Sequence, residues 1–251
     1  PHLLYPIARE KGRAALAADA VSSLSGADLW HAYEVSWLDA SGKPQVRVGR
    51  FTVPASSPNM VESKSFKLYL NSLNSTRYAS EEAVVSVLQR DLNSVTGAQV
   101  DVELLPVTDA ALAGSQPAGR CIDDLDITAM DGMPSPELLR VAAAPLEQAL
   151  HSHLLRSLCP VTGQPDWATV WVHYHGPALD PASLLQYLVA FRQHQEFHEQ
   201  CVERIFCDLY KVIGPEFLHV QAFYTRRGGL DINPLRSTDP HARPLPRMNR
   251  Q

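Results

Sequence analysis

The sequence lacks a surplus of positive charge and lacks long hydrophobic runs. Its net charge at pH 7 is −5, so it offers little sequence-independent attraction for phosphates, and we expect no nucleic-acid partner. No run of about eighteen apolar residues is present, so we expect no membrane partner either. The composition is otherwise ordinary for a globular protein, because hydrophobic residues make up 45% and charged residues 20% of the chain.

Cysteines are also few and are not paired in metal-binding or redox motifs. The chain has four: Cys121, Cys159, Cys201 and Cys207. The absence of C-x-x-C excludes zinc ribbons and thioredoxin-like motifs, and four cysteines in 251 residues do not make a disulfide scaffold. We therefore predict free thiols in a cytoplasmic protein, with Cys201 and Cys207 packed in a helical stripe.

Nucleotide-binding signatures are missing as well. No G-x-G-x-x-G follows a strand and no P-loop occurs, which excludes a Rossmann or kinase-type nucleotide site. His173 and His175 share one face of a predicted strand, but no third ligand is evident, so we predict no metal site.

The first half of the chain shows mixed strand and helix patterns. Alternating segments at 29–39 and 45–53, joined by a turn, predict a hairpin. One helix is predicted to begin near Ser63 and a second after the cap residue Ser80. Residues 98–107 predict a third strand.

The second half repeats a similar order of elements. A helix-like segment at 152–158 is predicted to end before Pro160, and a strand follows at 168–176. Asp180 predicts a helix cap, and the apolar phase changes near 192–196, which indicates two helices or one bent helix. A last strand is expected at 216–229, and the last twenty residues are expected to form an extended tail.

The repeated order predicts an α+β fold made by duplication of one unit. The stretch from 106 to 137 is rich in Pro, Gly and Asp and aperiodic, so we place the internal boundary there. The predicted modules are residues 1–110 and residues 111–251.

Cys159 and Asp166 are the first candidates for chemistry. Cys159 stands immediately before Pro160 and turn-forming residues, so it is either a thiol presented on a turn or a structural cysteine. Asp166 precedes Trp167, whose ring could desolvate the carboxyl and raise its pKa, which would make it a proton donor. The alternative for Asp166 is a carboxylate that caps a turn.

His198 and Glu199 form the second candidate pair. His198 shares a helical stripe with core residues, so it is either a satisfied core histidine or, with Glu199, a reader of a polar ring edge.

Two clusters suggest binding of negative charge. The segment from Glu62 to Ser65 is either a helix cap or an anion site that uses Lys64. Arg226 and Arg227 precede Gly228 and Gly229 at a strand end. They form either a basic hairpin end or a place where backbone and guanidinium groups approach an anionic ligand.

Four motifs together resemble one family. The stretches are ESKSFKLYLNSLNSTRY, CPVTGQPDW, EFHEQCVERIFCDL and YTRRGGLDINP, in that order. They resemble the NADPH-dependent 7-cyano-7-deazaguanine reductases, the nitrile reductases of queuosine biosynthesis, in their long two-module form. The resemblance implies the tunnel fold, with two tandem modules of antiparallel sheet and helices on one face. It also implies NADPH as cofactor, and a homodimer or higher homo-oligomer whose sheets form a barrel.

The resemblance also implies roles for single residues. Cys159 matches the nucleophile that adds to the nitrile as a covalent thioimide, and Asp166 matches the general acid for the nitrile nitrogen. His198 matches a residue that assists proton transfer. Reduction with two NADPH then gives 7-aminomethyl-7-deazaguanine. The implied substrate contacts are Val61, Glu62, Ser63, His198 and Glu199, and the implied NADPH contacts are Ser63, Lys64, Arg227 and Gly228.

Two rival functions remain at this point. A cysteine hydrolase would use Cys159, His198 and Asp166 as a triad, but it leaves the ESKSF and TRRGG stretches without a role. A non-catalytic purine- or pterin-binding module would use Glu199, but it leaves Cys159 without a role.

Overall fold

The computed structural model describes residues 1–128 and 132–251, which form ten strands and six helices. In chain order these are β1 (Pro6–Ala8), α1 (Arg9–Arg13), α2 (Ala18–Ser23), β2 (Ser25–Leu38), β3 (Pro44–Pro54), β4 (Asn59–Val61), α3 (Ser63–Asn71), α4 (Glu81–Thr96), β5 (Asp101–Leu105), β6 (Arg120–Cys121), β7 (Val141–Leu158), β8 (Pro165–Leu179), α5 (Pro181–Val189), α6 (His198–Ile213), β9 (Phe217–Tyr224) and β10 (Leu230–Ser237). Three short 3-10 turns lie at Ala110–Leu112, Pro136–Leu138 and Ala190–Gln193.

One eight-stranded sheet spans both halves of the chain. Its strand order is β5-β3-β2-β10-β9-β8-β7-β6, and every pair is antiparallel except β6 with β7. Strands β1 and β4 form a separate antiparallel pair. Because β10 joins β2 to β9, the C-terminal part of the chain completes the sheet of the N-terminal part.

Helices pack on one face of this sheet over two apolar clusters. One cluster lies between α3, α4 and the strands β2 and β3, and the other between α5, α6 and the strands β7 to β9. This α+β arrangement of antiparallel sheet and helices confirms the predicted fold class. The division at residue 110 stays a prediction, since the sheet itself continues without a break between the two clusters.

Local sequence signals place the helix starts where we predicted them. Ser80 accepts a hydrogen bond from the backbone N–H of Ala83 and caps α4. Asp180 accepts from Ala182 N–H and caps α5, with Pro181 as the first helical residue. The predicted hairpin is the β2–β3 pair, and the phase change near 192–196 separates α5 from α6.

The prediction of a helix at 152–158 is wrong, because this segment is the end of strand β7. The cause is a β-bulge. Ser152 pairs with Val170 but Leu155 pairs with Ala168, so one extra residue enters β7 at that point. The bulge breaks the alternation of apolar residues and leaves a spacing that imitates a helix. Pro160 therefore ends a strand, and the chain turns there into β8.

The prediction that the last twenty residues form an extended tail is wrong for the first of them. Residues 230–237 form β10, and all eight are buried. Pro234 argues against a central strand, which is why the pattern was not recognised. The pairing of β10 with β9 begins only at Leu235, after the proline.

Among the helices of the described ranges, none is long and apolar enough to cross a membrane.

Candidate active site

A cavity of about 300 Å³ brings together most of the residues predicted for chemistry. Its walls come from the β7–β8 turn, the β9–β10 turn and the N-terminal ends of α3 and α6. The predicted residues that line it are Glu62, Ser63, Lys64, Cys159, Asp166, His198, Arg227 and Gly228. They come from both halves of the chain, so the site depends on the continuous sheet.

Cys159 is held in the turn that follows β7. Its backbone N–H donates to Gln164 O at 2.9 Å, and its carbonyl accepts from Gly163 N–H at 2.8 Å. Burial alone would raise the pKa of the thiol. Donors from the Thr162 hydroxyl, the backbone of Thr162 and Val161, and Arg227 outweigh burial and lower the pKa below its ordinary value. The turn therefore shifts Cys159 toward the thiolate, which is the nucleophilic form of a cysteine.

Asp166 lies at the start of β8 and is almost fully buried. Burial raises the pKa of its carboxyl, although Arg227 opposes this shift. Arg227 Nη1 donates to Asp166 Oδ1 at 2.6 Å. A buried carboxyl with a raised pKa suits a proton donor.

Trp167 does not cause this shift as we expected. Neighbouring strand residues point to opposite faces, and the Trp167 ring lies among three guanidinium groups, Arg156, Arg192 and Arg250, at 5.4 to 6.0 Å. It is not part of the cavity lining. The pKa of Asp166 is raised, as expected, but the cause is burial of the Asp166 side chain on its own face of β8.

His198 is the first residue of α6 and lies beside Asp166 in the cavity lining. Its Nε2 lies 3.6 Å from Asp166 Oδ1, and its ring meets the Tyr224 ring edge-on at 4.0 Å. Burial, followed by the charge of Arg227, lowers the pKa of His198 to about 3. The imidazole is thus neutral near pH 7 and can act as a hydrogen-bonding group there.

Glu62 caps a helix and also lines the cavity. Its carboxylate accepts from the backbone N–H groups of Lys64, at 2.9 Å, and Ser65, at 2.6 Å, so it caps α3. It also lines the cavity with Ser63. Because a carboxylate has about four lone-pair positions, capping leaves acceptor capacity toward the cavity.

The rim next to α3 is cationic. Lys64, Lys67 and Arg227 all line the cavity. Gly228 has a φ of +57°, and a Cβ there would lie 3.2 Å from the Lys67 side chain. Lys67 Nζ donates to Gly228 O at 2.5 Å. The left-handed backbone and the close Lys67 side chain both favour a glycine at this position.

Glu199 and Val61 are buried next to lining residues but do not themselves line the cavity. Burial, followed by the charge of Asp28, raises the pKa of Glu199 to about 8, while Arg9 and Arg236 oppose this. In the part of the chain that the structure describes, no neighbouring side chain donates a hydrogen bond to the Glu199 carboxyl.

Below Glu199 lies a buried ionic cluster. Arg236 donates to Asp28 at 2.7 Å and pairs with Glu203 at 2.9 Å, and Arg9 donates to Asp28 at 2.5 Å. These contacts join β10, β2, α6 and α1, and they fix the base of the site.

Other lining residues were not predicted. Thr162 stands three residues after Cys159 in the same turn, so the sequence alone could have suggested its hydroxyl as a neighbour of the thiol. Lys67 lies one turn of α3 beyond Lys64, so helical spacing could have placed it beside Lys64. Leu230 and Ile232 belong to β10 and form part of the apolar lining, and they were missed because β10 was missed.

His173 and His175 lie outside the cavity. His173 Nε2 is 3.0 Å from Glu147 and His175 Nδ1 is 2.9 Å from Glu216, both in partly exposed positions.

Comparison with known proteins gives matches over nearly the whole chain. A family model described as nitrile reductase, 7-cyano-7-deazaguanine-reductase N-term, matches residues 1–104, and a model described as QueF-like protein matches residues 165–242. A protein of Chromohalobacter salexigens is 53% identical over 99% of this chain and 91% of its own length. Proteins of Bordetella avium and Dechloromonas aromatica are each 52% identical, over 94% and 97% of this chain and 87% of their own lengths. All three are named NADPH-dependent 7-cyano-7-deazaguanine reductase.

A solved structure of an archaeosine synthase QueF-Like in the apo form is also similar, at 17% identity and a TM-score of 0.32, over 38% of this chain and 90% of that one. A likeness of this size adds nothing to the argument.

Proposed function

We propose residue roles from one premise: this chain belongs to the family of NADPH-dependent 7-cyano-7-deazaguanine reductases. It is thus an NADPH-dependent oxidoreductase that reduces a nitrile to an amine in queuosine biosynthesis. The observation that supports the roles is the convergence of Cys159, Asp166, His198 and Arg227 on one cavity.

Cys159 is the proposed nucleophile. A nitrile is a weak electrophile, so attack on its carbon requires a thiolate. The Thr162 hydroxyl and the backbone N–H groups of the turn lower the pKa of the Cys159 thiol. A new C–S bond then forms as one C–N π bond is converted to a lone pair on nitrogen. The product of this step is a covalent thioimide.

Asp166 is the proposed donor of the proton that the nitrile nitrogen takes up. Its buried carboxyl has a raised pKa, lies beside Arg227 and His198, and lines the same cavity as the thiol. After the proton leaves, the carboxylate remains paired with Arg227, which stabilises the charge. Neutral His198, with Nε2 3.6 Å from the Asp166 carboxyl, lies close to it without adding a charge of its own.

The C–S bond must break again before the second reduction. The donors that stabilise the Cys159 thiolate before attack also stabilise it as a leaving group. The same turn therefore serves both the formation and the collapse of the adduct.

Residues at the rim fit NADPH. Lys64, Lys67 and Arg227 supply positive charge for phosphates, and Gly228 leaves the backbone accessible. NADPH, when bound, supplies the hydride for each of the two reductions. We assign Ser63, Lys64, Arg227 and Gly228 to its binding.

The proposed contacts of the deazaguanine ring are Glu62 and Ser63, which line the cavity, and Glu199, which is buried next to the lining residue His198. A guanine-like ring presents an amino group and ring N–H donors, which carboxylates accept well. Apolar side chains of Phe197, Leu230 and Ile232 line the same cavity and suit a flat ring. Val61 and His198 support this contact from neighbouring positions.

The cysteine hydrolase is the weaker reading. A triad needs a histidine basic enough to take the thiol proton, whereas burial lowers the pKa of His198 to about 3. Family membership also favours the reductase over a non-catalytic binding module.

We further propose a cytoplasmic homodimer or higher homo-oligomer. Family resemblance is its support, and sedimentation equilibrium of the purified chain measures the mass of the assembly.

Arg227→Gln should move the pH profile of adduct formation toward higher pH. Arg227 lowers the pKa of both Cys159 and Asp166, so its loss raises both. Thiolate is lost as pH falls through the pKa of Cys159, and the acid is lost as pH rises through the pKa of Asp166. Both the acidic side and the basic side of the pH–rate profile therefore move to higher pH. The rate of thioimide absorbance change without NADPH, followed across pH, measures this apart from cofactor binding.

Arg226→Gln is the matched control, because Arg226 is exposed and stacks on Tyr33 at 3.5 Å. Its profile should match wild type. A profile of Arg227→Gln that is unshifted, or that moves to lower pH, would contradict the proposed electrostatic role.

Substrate affinity should rise with pH through the titration of Glu199. The pKa of Glu199 is raised to about 8, and ring N–H donors favour its ionised form, so binding requires the proton to leave. We expect tighter binding from pH 6.5 toward about pH 8.5. Glu199→Gln should weaken binding by about 10-fold or more and remove this dependence. Calorimetry in a Cys159→Ala background measures affinity without adduct formation.

Glu196→Gln is the control for this test, since Glu196 lies near the start of the same helix, pairs with Arg204 and does not line the cavity. It should keep the pH dependence. If Glu199→Gln binds like wild type at every pH, Glu199 does not contact the ring.

A further inference from the structure

A second group of chemically reactive side chains lies at the sheet edge formed by β6 and β7. Cys121 is the register partner of His151 in the parallel β6–β7 pair. His153 follows His151 by two residues, and their two rings lie side by side. One ligand atom from each of the three side chains lies within 4.8 Å of the others. None of the three lines the catalytic cavity.

The two imidazoles pack against each other, and a hydrogen bond fixes the ring of His153. Their ring centroids are 5.4 Å apart at an interplanar angle of 65°. His153 Nδ1 lies 2.8 Å from Thr169 Oγ1, which leaves Nε2 free to bind another group. Asp123 accepts from the backbone N–H of His153, at 3.0 Å, and from the Ser152 hydroxyl, at 2.6 Å. Metal-binding histidines characteristically have their second nitrogen fixed in this way.

His151 carries the observation that points to a ligand. The residue is 8% exposed, and its Nδ1 is buried without a hydrogen-bond partner among the described residues. A buried polar atom without a partner costs about 1–3 kcal/mol. Coordination of a cation by this ring would offset that cost.

We propose that Cys121, His151 and His153 bind one divalent transition-metal ion of the zinc class. Thiolate and imidazole are the ligands that zinc prefers, at about 2.3 Å for sulfur and about 2.0–2.1 Å for nitrogen. Tetrahedral geometry at those bond lengths puts ligand atoms about 3.3–3.8 Å apart. The ligand atoms, all within 4.8 Å of one another, therefore need to move together by at most about 1–1.5 Å.

Binding of the ion releases one proton to solvent, because the Cys121 thiol binds as thiolate. Cys121 is exposed, so the fourth position is open to water. The ion would tie the two-residue strand β6 to the long strand β7. Strand β6 lies in the irregular segment between β5 and β7, which links the two apolar clusters. Binding of the ion is therefore expected to stabilise this segment against unfolding.

Cobalt(II) is the first probe, used on the metal-free full chain in a Cys159→Ala background so that the reactive thiol of the cavity cannot bind it. We expect one Co²⁺ per chain, tetrahedral d–d bands and a sulfur-to-cobalt charge-transfer band, all displaced by Zn²⁺. Cys121→Ser should remove the charge-transfer band. His153→Ala should weaken binding by about 10-fold or more.

His173→Ala is the matched control, because His173 is a partly exposed strand histidine outside the cluster. It should leave the spectrum unchanged. Zn²⁺ should also raise the melting temperature of the Cys159→Ala chain but not of the same chain with Cys121→Ser.

Two results would overturn the proposal. One is a charge-transfer band that persists in Cys121→Ser. The other is a folded chain, judged by circular dichroism, that takes up less than one Co²⁺, or a His153→Ala variant that binds Co²⁺ with the wild-type affinity. Since Cys121 is exposed, Cys121→Ser should fold, and His153→Gln provides a second variant with a smaller change of shape.

Discussion

Cys159→Ala should abolish NADPH oxidation in the presence of 7-cyano-7-deazaguanine. Without the thiolate no C–S bond forms, and the nitrile is not converted into the C=N group that accepts hydride. Cys159 is 8% exposed, and the hydrogen bonds that hold its turn are made by its backbone, so alanine should leave the fold intact. Absorbance of NADPH at saturating substrate measures the effect, and no rate above the substrate-free background is expected.

Cys121→Ser is the matched control for this result. Cys121 is the exposed cysteine of the chain and lies outside the cavity, so its replacement should leave the wild-type rate. Residual turnover in Cys159→Ala with the wild-type stoichiometry would remove Cys159 from the mechanism.

Asp166→Asn should lower the rate of adduct formation by about 10²- to 10⁴-fold. Asparagine keeps the shape of the side chain but cannot deliver a proton as an acid, and its amide no longer forms the ion pair with Arg227. Stopped-flow absorbance of the thioimide, without NADPH, isolates this step. Substrate affinity should change less than the rate, because the proton is transferred only in the reaction.

Asp208→Asn provides a comparison for that variant. Burial also raises the pKa of Asp208, which accepts a hydrogen bond from Tyr187 at 2.7 Å and does not line the cavity. It should react at the wild-type rate. An Asp166→Asn variant that forms adduct as fast as wild type would exclude Asp166 as the acid.

Local sequence signals predicted the motifs and most elements. The N-caps Ser80 and Asp180 mark helix starts without help from the rest of the fold. The thiol of Cys159 was placed on a turn correctly, although the element before it was not a helix. A turn is predicted from a few adjacent residues, so the prediction can be correct even when the element before the turn is assigned wrongly.

Long-range pairing was what the sequence did not show. Leu154, Leu155 and Leu158 imitate a helical spacing because of a bulge that only the pairing with β8 defines. Pro234 hides a buried strand whose place depends on β2, which lies some two hundred positions earlier. Both errors come from contacts between distant segments.

The electrostatics of the site depend on the same distant contacts. Asp166 and Arg227 are 61 positions apart, so their ion pair could not be read from spacing. Asp166 and Trp167 are neighbours in sequence but point to opposite faces of β8, and Trp167 packs with arginines on the face away from the cavity. The raised pKa of Asp166 was therefore predicted for the wrong reason.

The most direct test of the account is intact-protein mass spectrometry after incubation with 7-cyano-7-deazaguanine alone. The account predicts a gain equal to the full mass of the nitrile, since addition loses no atoms, and peptide mapping should place it on Cys159. Added NADPH should remove it with two NADPH consumed per amine formed, because nitrile and amine differ by four electrons. A folded, NADPH-oxidising enzyme with no adduct, or with the adduct on another cysteine, would contradict covalent catalysis by Cys159.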